Sequence, residues 1–362
     1  MILPSAYWIT LLVLLFSLIC WGSWPNTLKK SGWRFELFYL DYALGCAVTA
    51  VVAAFTLGSM GSDISVQDNF LLAGKKQLLL VFSAGCVFSL GNMMLLGAME
   101  LAGMSVAFPL AFGLAVAVGA TWNFFLGKAA SAVLSIGGSA SVLMAVILTA
   151  LAYSAITRQR RAAERAALEA QNNEGPLPNP NIAKTKKPAK SSEPSTWQGV
   201  ALALVSGVFM GSFYPLVTTA MEGDLGLTNP YAVALVFSIG ILVSCFIYNL
   251  YFMNLPVKGL PISFFAYFTG TMRQHMLGWL GGLMWMAGGI ASFVGSAATG
   301  AAMVGPGMSF AIGQGAAIVA FLWGYYSWNE FEGADSGVRL KLALMVLFFI
   351  LGLGAVAAAA LS

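Results

Sequence analysis

Ten stretches of about twenty residues, apolar and nearly free of charge, set the limits on what this chain can fold into. They fall at about 7–28, 35–57, 77–98, 104–126, 131–155, 198–220, 230–253, 274–297, 303–325 and 338–361. A helix rises about 1.5 Å per residue and the hydrocarbon core is about 30 Å thick, so each stretch has the length of one membrane crossing. With 59% hydrophobic and 9% charged residues, the composition excludes a soluble domain. The expected fold class is therefore an all-α polytopic membrane protein. The first stretch has neither a basic segment before it nor a small-residue cleavage site after it, so it is read as a span and not a signal peptide.

The two halves repeat each other. Gly85, Gly91, Gly103, Pro109 and Gly127 are each matched 197 residues later, by Gly282, Gly288, Gly300, Pro306 and Gly324. Gly22-Ser23-Trp24 likewise returns as Gly211-Ser212-Phe213, followed by Pro25 and Pro215 respectively. With five spans per half, an odd number, the second copy must enter the bilayer with opposite polarity. The chain then divides into a five-helix repeat at 1–156, a basic, proline-containing linker at 157–197 and an inverted five-helix repeat at 198–362. Inverted repeats are the architecture of secondary transporters, whose solute site lies near the midplane between the halves.

Charge supplies the orientation. The linker carries Arg158, Arg160, Arg161, Arg165, Lys184, Lys186, Lys187 and Lys190, which places it in the cytoplasm and both termini outside. Lys29, Lys30, Arg34, Lys258, Arg273, Arg339 and Lys341 then join it on the cytoplasmic side, against Lys75, Lys76 and Lys128 outside. The formal charge of +4 thus marks topology and does not point to nucleic acid or another acidic partner. The part of the linker with Pro176, Pro178, Pro180, Pro188 and Pro194 is read as a disordered tether, with anionic-lipid contact as the alternative. No phosphate-binding loop occurs, so the chain contains no ATPase motor. Cys20, Cys46, Cys86 and Cys245 lack metal-ligand spacing and His275 is the single histidine, so neither a metal nor another cofactor is expected.

Polar groups inside spans are the candidates for chemistry, because each is costly in hydrocarbon unless paired. Gln314 lies near the middle of the ninth span, where an amide can meet an N–H beside a C=O or can bond a neighbouring helix. Asn92 in the third span has the same two readings, and Asn123 in the fourth reads as structural. Trp21, Trp24, Phe213 and Tyr214 can stack on a flat solute, or anchor helix ends at the interface. Inversion puts Trp24 and Phe213 on opposite sides of the membrane as inner and outer gates, with Pro25, Pro215, Gly22 and Gly211 permitting bending. Asp41 and Glu100 are the candidates for carrying a coupling proton, although both stand near predicted span ends where solvated carboxylates are ordinary. An enzyme is not expected, since no H-E-x-x-H and no facing pair of aspartates occurs and His275 is too near the surface for a serine dyad. A channel or scaffold would leave the duplicated proline-kinked helices unexplained.

Nearly the whole chain resembles the ureide permeases of the drug/metabolite transporter superfamily. The likeness is carried by Gly22-Ser23-Trp24-Pro25, Tyr39-Leu40-Asp41-Tyr42, Ser89-Leu90-Gly91-Asn92, Asn123-Phe124-Phe125-Leu126, and the loop residues Pro256, Gly259-Leu260-Pro261, Ser263-Phe264 and Tyr267. The resemblance implies proton-coupled uptake, across the plasma membrane, of oxo derivatives of nitrogen heterocycles such as allantoin and uracil. Two departures stand out: Leu96 occupies the place of a glutamine in the plant members, and the compact linker lacks their nucleotide-binding-like motif, which suits a prokaryotic member. Sugar uptake of the glucose, ribose or rhamnose type is the alternative. Oligomeric state is left open.

Overall fold

The structure, a computed structural model, describes residues 1–61, 63–125, 131–173 and 196–359. Lys128, the proline tract with Lys184 to Lys190, and the Asn123 side chain lie outside the described residues. The elements are α1 (Tyr7–Ser23), α2 (Pro25–Ser31), α3 (Phe35–Phe55), α4 (Val66–Leu72), α5 (Lys75–Ala102), α6 (Met104–Phe125), α7 (Ala132–Asn173), α8 (Thr196–Met221), α9 (Pro230–Asn254), α10 (Met272–Ala297), α11 (Pro306–Gln314), α12 (Ala316–Leu322) and α13 (Ser336–Ala359). Among the described residues these give ten crossings, with α1 and α2 forming the first and α11, α12 and a π-helical turn at Trp323–Ser327 the ninth. The chain is a multi-pass helical membrane protein.

Local sequence explains the joints. Pro25 opens α2 after a single residue, Trp24, which is itself in the helical region, so α1 and α2 follow one another as one span. Gly103, at φ 86°, turns α5 directly into α6, and Gly305, at φ 83°, precedes Pro306 at the first turn of α11. Thr271 and Gln274 form a reciprocal cap on α10. Pro215 differs from Pro25 in place: it lies inside α8, which continues on both sides of it. The ninth span is interrupted at Gly315, directly after Gln314, where no proline stands.

The core is made where helices of the two halves meet. The third span packs on the sixth and seventh, and correspondingly the eighth packs on the first and second. The fourth packs on the sixth as the ninth packs on the first, and α7 pairs with α13. Two crossings are made by glycine pairs. A Cβ on Gly85 would stand 2.2 Å from Phe237 O beside Gly240, and one on Gly282 would stand 2.0 Å from Tyr42 O, close to where Gly45 meets Trp279 O at 2.4 Å. Those distances leave room only for hydrogen, which is why the backbones can come so close. The outward faces carry exposed Leu12, Phe16, Ile19, Ile147, Ile247 and Ile350, the surface a bilayer covers.

Candidate functional site

At the middle of the bundle Phe88 of α5 and Trp285 of α10 face each other with ring centroids 4.1 Å apart. These two residues also stand 197 positions apart in the sequence, the same offset as the glycine and proline matches. Trp21 stacks on Trp285 at 5.7 Å and donates its Nε1 hydrogen to the Trp285 carbonyl at 3.1 Å. Phe213 closes the other side against Phe88 and Phe237, at 5.4 and 5.6 Å. Trp24 meets Tyr42 at 4.7 Å in the same way. Trp21, Trp24, Phe213 and Tyr214 are all at most 3% exposed, packed inside the bundle and not on its outward face.

Unpaired polar atoms lie on both sides of this aromatic centre. Toward one end, Ser17, Tyr214, Ser292 and Ser309 each bury a hydroxyl without a hydrogen-bond partner. Tyr214 is seated on Phe310 at 5.1 Å, and Ser292 and Ser296 adjoin its hydroxyl without reaching bonding geometry. Ser17 and Ser292 belong to the close crossing of α1 on α10 at Gly288, whose added Cβ would lie 3.1 Å from Ser17 O. Gly313 backs onto the Trp21 ring, and Gln314 follows it, 3% exposed, at the break in the ninth span. An unpaired buried hydroxyl costs about 1–3 kcal/mol, so each of these positions favours a polar partner.

Toward the linker end, Asn92 donates to the Tyr39 hydroxyl at 3.4 Å, and its Oδ1 has no partner. Tyr39 itself donates to Ser89 O at 3.3 Å and stacks on Tyr42 at 4.9 Å. The Tyr42 hydroxyl is unpaired, with Asn92 and Cys46 next to it but outside bonding geometry. Asn92 is thus only half satisfied by its neighbours. Gly22 and Gly211, expected to give flexibility, make close crossings: their added Cβ atoms would fall 2.6 Å from Ala316 O and 2.7 Å from Ala115 O.

Asp41 is not a solvated carboxylate at a helix end. It is 1% exposed, accepts from the Tyr267 hydroxyl at 2.6 Å and lies 2.7 Å from His275 Nδ1. A carboxylate only accepts, so that ring nitrogen carries the hydrogen. Burial, together with the bond to Asp41, holds the Tyr267 hydroxyl above its ordinary pKa and keeps it a donor. Trp33 packs against both partners, at 5.9 Å from Tyr267 and 4.9 Å from His275. The cluster opens on a groove of about 680 Å³ lined by Gly45, Thr49, Trp279 and Leu283. Sequence reasoning missed the pairing because the residues are 226 and 234 positions apart, although the Tyr267 loop had stood out in the resemblance. Glu100 is partly buried beside Glu36, Arg34 and Lys258, with Arg34 and Glu36 ion-paired at 2.6 Å. Among the described residues no cluster has the composition of a metal site.

Comparison with known proteins agrees with the resemblance drawn from the residues. The family model described as ureide permease matches residues 38–186. The chain is 25% identical to Ureide permease 2 of Arabidopsis thaliana over 93% of both chains. It is 24% identical to Ureide permease 5 of the same plant, over 97% of this chain and 94% of that one. Probable ureide permease A3 of Vigna unguiculata is 25% identical over 77% of this chain and 86% of its own. Relatives of this kind indicate a membrane transporter with a small-molecule substrate.

Proposed function

This chain is related to the ureide permeases, and from that premise we propose that it is a secondary active carrier of small, flat nitrogen heterocycles, ureides such as allantoin or nucleobases such as uracil. The observation that carries the reading is the ring-lined centre with unpaired hydroxyls of Ser17, Tyr214, Ser292 and Ser309 beside the break at Gln314. A planar solute with alternating N–H and C=O groups can stack on Trp21, Phe213 or Tyr214 while those hydroxyls and the Gln314 amide read its edge. Asn92 and Tyr42 offer an acceptor and a hydroxyl on the route toward the linker end, next to Trp24. A broken helix at mid-span is the usual place for a transporter to expose such groups.

The two halves act as inverted repeats, 1–156 and 198–362, that rock about this centre. Support comes from the exchange of helix partners between halves, the paired glycine crossings, and the contact of the rings Phe88 and Trp285, which stand at the repeat's offset. The excess of positive charge supports a cytoplasmic linker end with both termini outside, and the resemblance implies the plasma membrane. Uptake is coupled to protons, and of Asp41 and Glu100 the former is favoured by its buried contact with His275, an imidazole able to share a proton with it. Sugar uptake, open on sequence alone, draws no support from the relatives. The test is uptake of labelled allantoin, uracil and glucose into cells expressing the protein, with and without a protonophore. Saturable, protonophore-sensitive allantoin or uracil uptake is expected; saturable glucose uptake that neither competes would refute the solute class.

A further inference from the structure

Glu330 stands in the polar loop between the π-helical turn and α13, where a carboxylate would ordinarily face water. It does not: its side chain is 13% exposed. Asn329 before it has φ 49°, a left-handed conformation that asparagine tolerates, and this turns Glu330 back into the bundle. There it accepts the backbone hydrogens of Met104 at 2.8 Å and Ser105 at 2.6 Å, the free donors that open α6. It is also ion-paired with Lys29 of α2. Gly103 and Gly324 make the room, since a Cβ on them would fall 2.9 and 2.5 Å from the carboxylate.

The rest of α2 is tied to the same region. The Lys29 ammonium lies 4.9 Å over the Trp328 ring, Trp328 Nε1 donates to Asn26 at 2.7 Å, and Trp323 Nε1 donates to Ser23 at 2.9 Å. On the far side of the loop, Arg160 of the α7 extension donates to the carbonyls of Glu330 and Glu332 at 2.8 and 3.3 Å. Ser212, the repeat counterpart of Ser23, bonds Val208 of its own helix, and Thr218 and Thr219 stand where Lys29 would be.

We propose that Lys29 and Glu330 are the lock of the linker-end gate. Closed, they pin α2 to the start of α6 and the end of the ninth span; opening swings α2 about the Trp24–Pro25 junction and separates Lys29 from Glu330. Arg160 makes the lock answer to the linker, since force or binding on the α7 extension acts on the loop that holds Glu330. The inference rests on the carrier reading of the fold, but its test needs no solute.

The four cysteines are replaced by alanine, Thr27→Cys is introduced on α2 beneath Gly281, and its labelling by a maleimide is timed in detergent-purified protein. Thr27 is 6% exposed, so labelling reports opening of α2. Lys29→Met, which leaves the Met104 and Ser105 bonds intact, and Glu330→Gln should each speed labelling roughly tenfold, as loss of one charge-assisted contact predicts. Labelling of Ser212→Cys at the other end should not change. Equal rates at Thr27→Cys with and without Lys29→Met would overturn the lock, and so would an equal rise at both ends, which would mean general loosening. Intact allantoin uptake together with unchanged labelling would sink the lock alone; faster labelling in a protein that carries no heterocycle would sink the solute class alone.

Discussion

Asp41→Asn keeps the shape of a buried carboxylate and removes its charge. Each oxygen of Asp41 has one partner, Tyr267 at 2.6 Å and His275 at 2.7 Å. Hydrogen bonds to charged groups are worth about 1.5–3 kcal/mol and neutral ones about 1 kcal/mol, so losing the charge weakens each bond by about 1 kcal/mol. His275 is 24% exposed and water recovers part of its share, which leaves a net cost of about 1.5 kcal/mol for the single change. His275→Gln should cost about 1 kcal/mol, and the double variant less than the sum, with a coupling of about 1 kcal/mol. Thermal unfolding of the four proteins in one detergent measures the cycle, and Tyr267→Phe serves as a second arm. If Asp41 also carries the coupling proton, Asp41→Asn abolishes accumulation driven by a pH gradient and spares exchange of labelled for unlabelled solute. Additivity within about 0.3 kcal/mol would refute the pairing, and gradient-driven accumulation retained in Asp41→Asn would refute its role in coupling.

Three further outcomes are expected. Tyr214→Phe removes a buried hydroxyl that has no partner, so thermal stability should rise by about 1 kcal/mol while solute affinity falls; a stability loss would show that the hydroxyl is paired. Gln314→Ala should weaken competition by allantoin or uracil with expression unchanged, and unaltered affinity would make Gln314 structural. Gly282→Val places carbon 2.0 Å from the Tyr42 carbonyl, so the second and eighth spans must separate; a variant with wild-type yield and thermal midpoint would contradict that crossing.

What was legible in the sequence followed from rules that act locally. Span positions come from apolar length, and the joint between α1 and α2 falls at Pro25, whose missing N–H interrupts the ladder. Pro215 carries the same chemistry in an unbroken helix because α8 is clamped along its length by α5 and α6. The break at Gly315 had no local mark, as glycines are too frequent in this chain to signal one. Asp41, His275 and Glu330 were readable only as charges near helix ends; their burial depends on partners more than 200 residues away. The 197-residue offset reached furthest along the chain, since it also separates Phe88 from Trp285, the two rings that meet at the centre. Glycine and proline spacing gave the offset, but only the structure brought the two rings together.

The most direct measurement of the central claim is counterflow. Proteoliposomes loaded with unlabelled allantoin, diluted into a trace of labelled allantoin with no ion gradient, should accumulate label transiently above equilibrium, and external uracil should compete. Only a carrier with an alternating site gives such an overshoot. Label that merely equilibrates, or an overshoot seen with glucose and not with allantoin or uracil, would contradict the account.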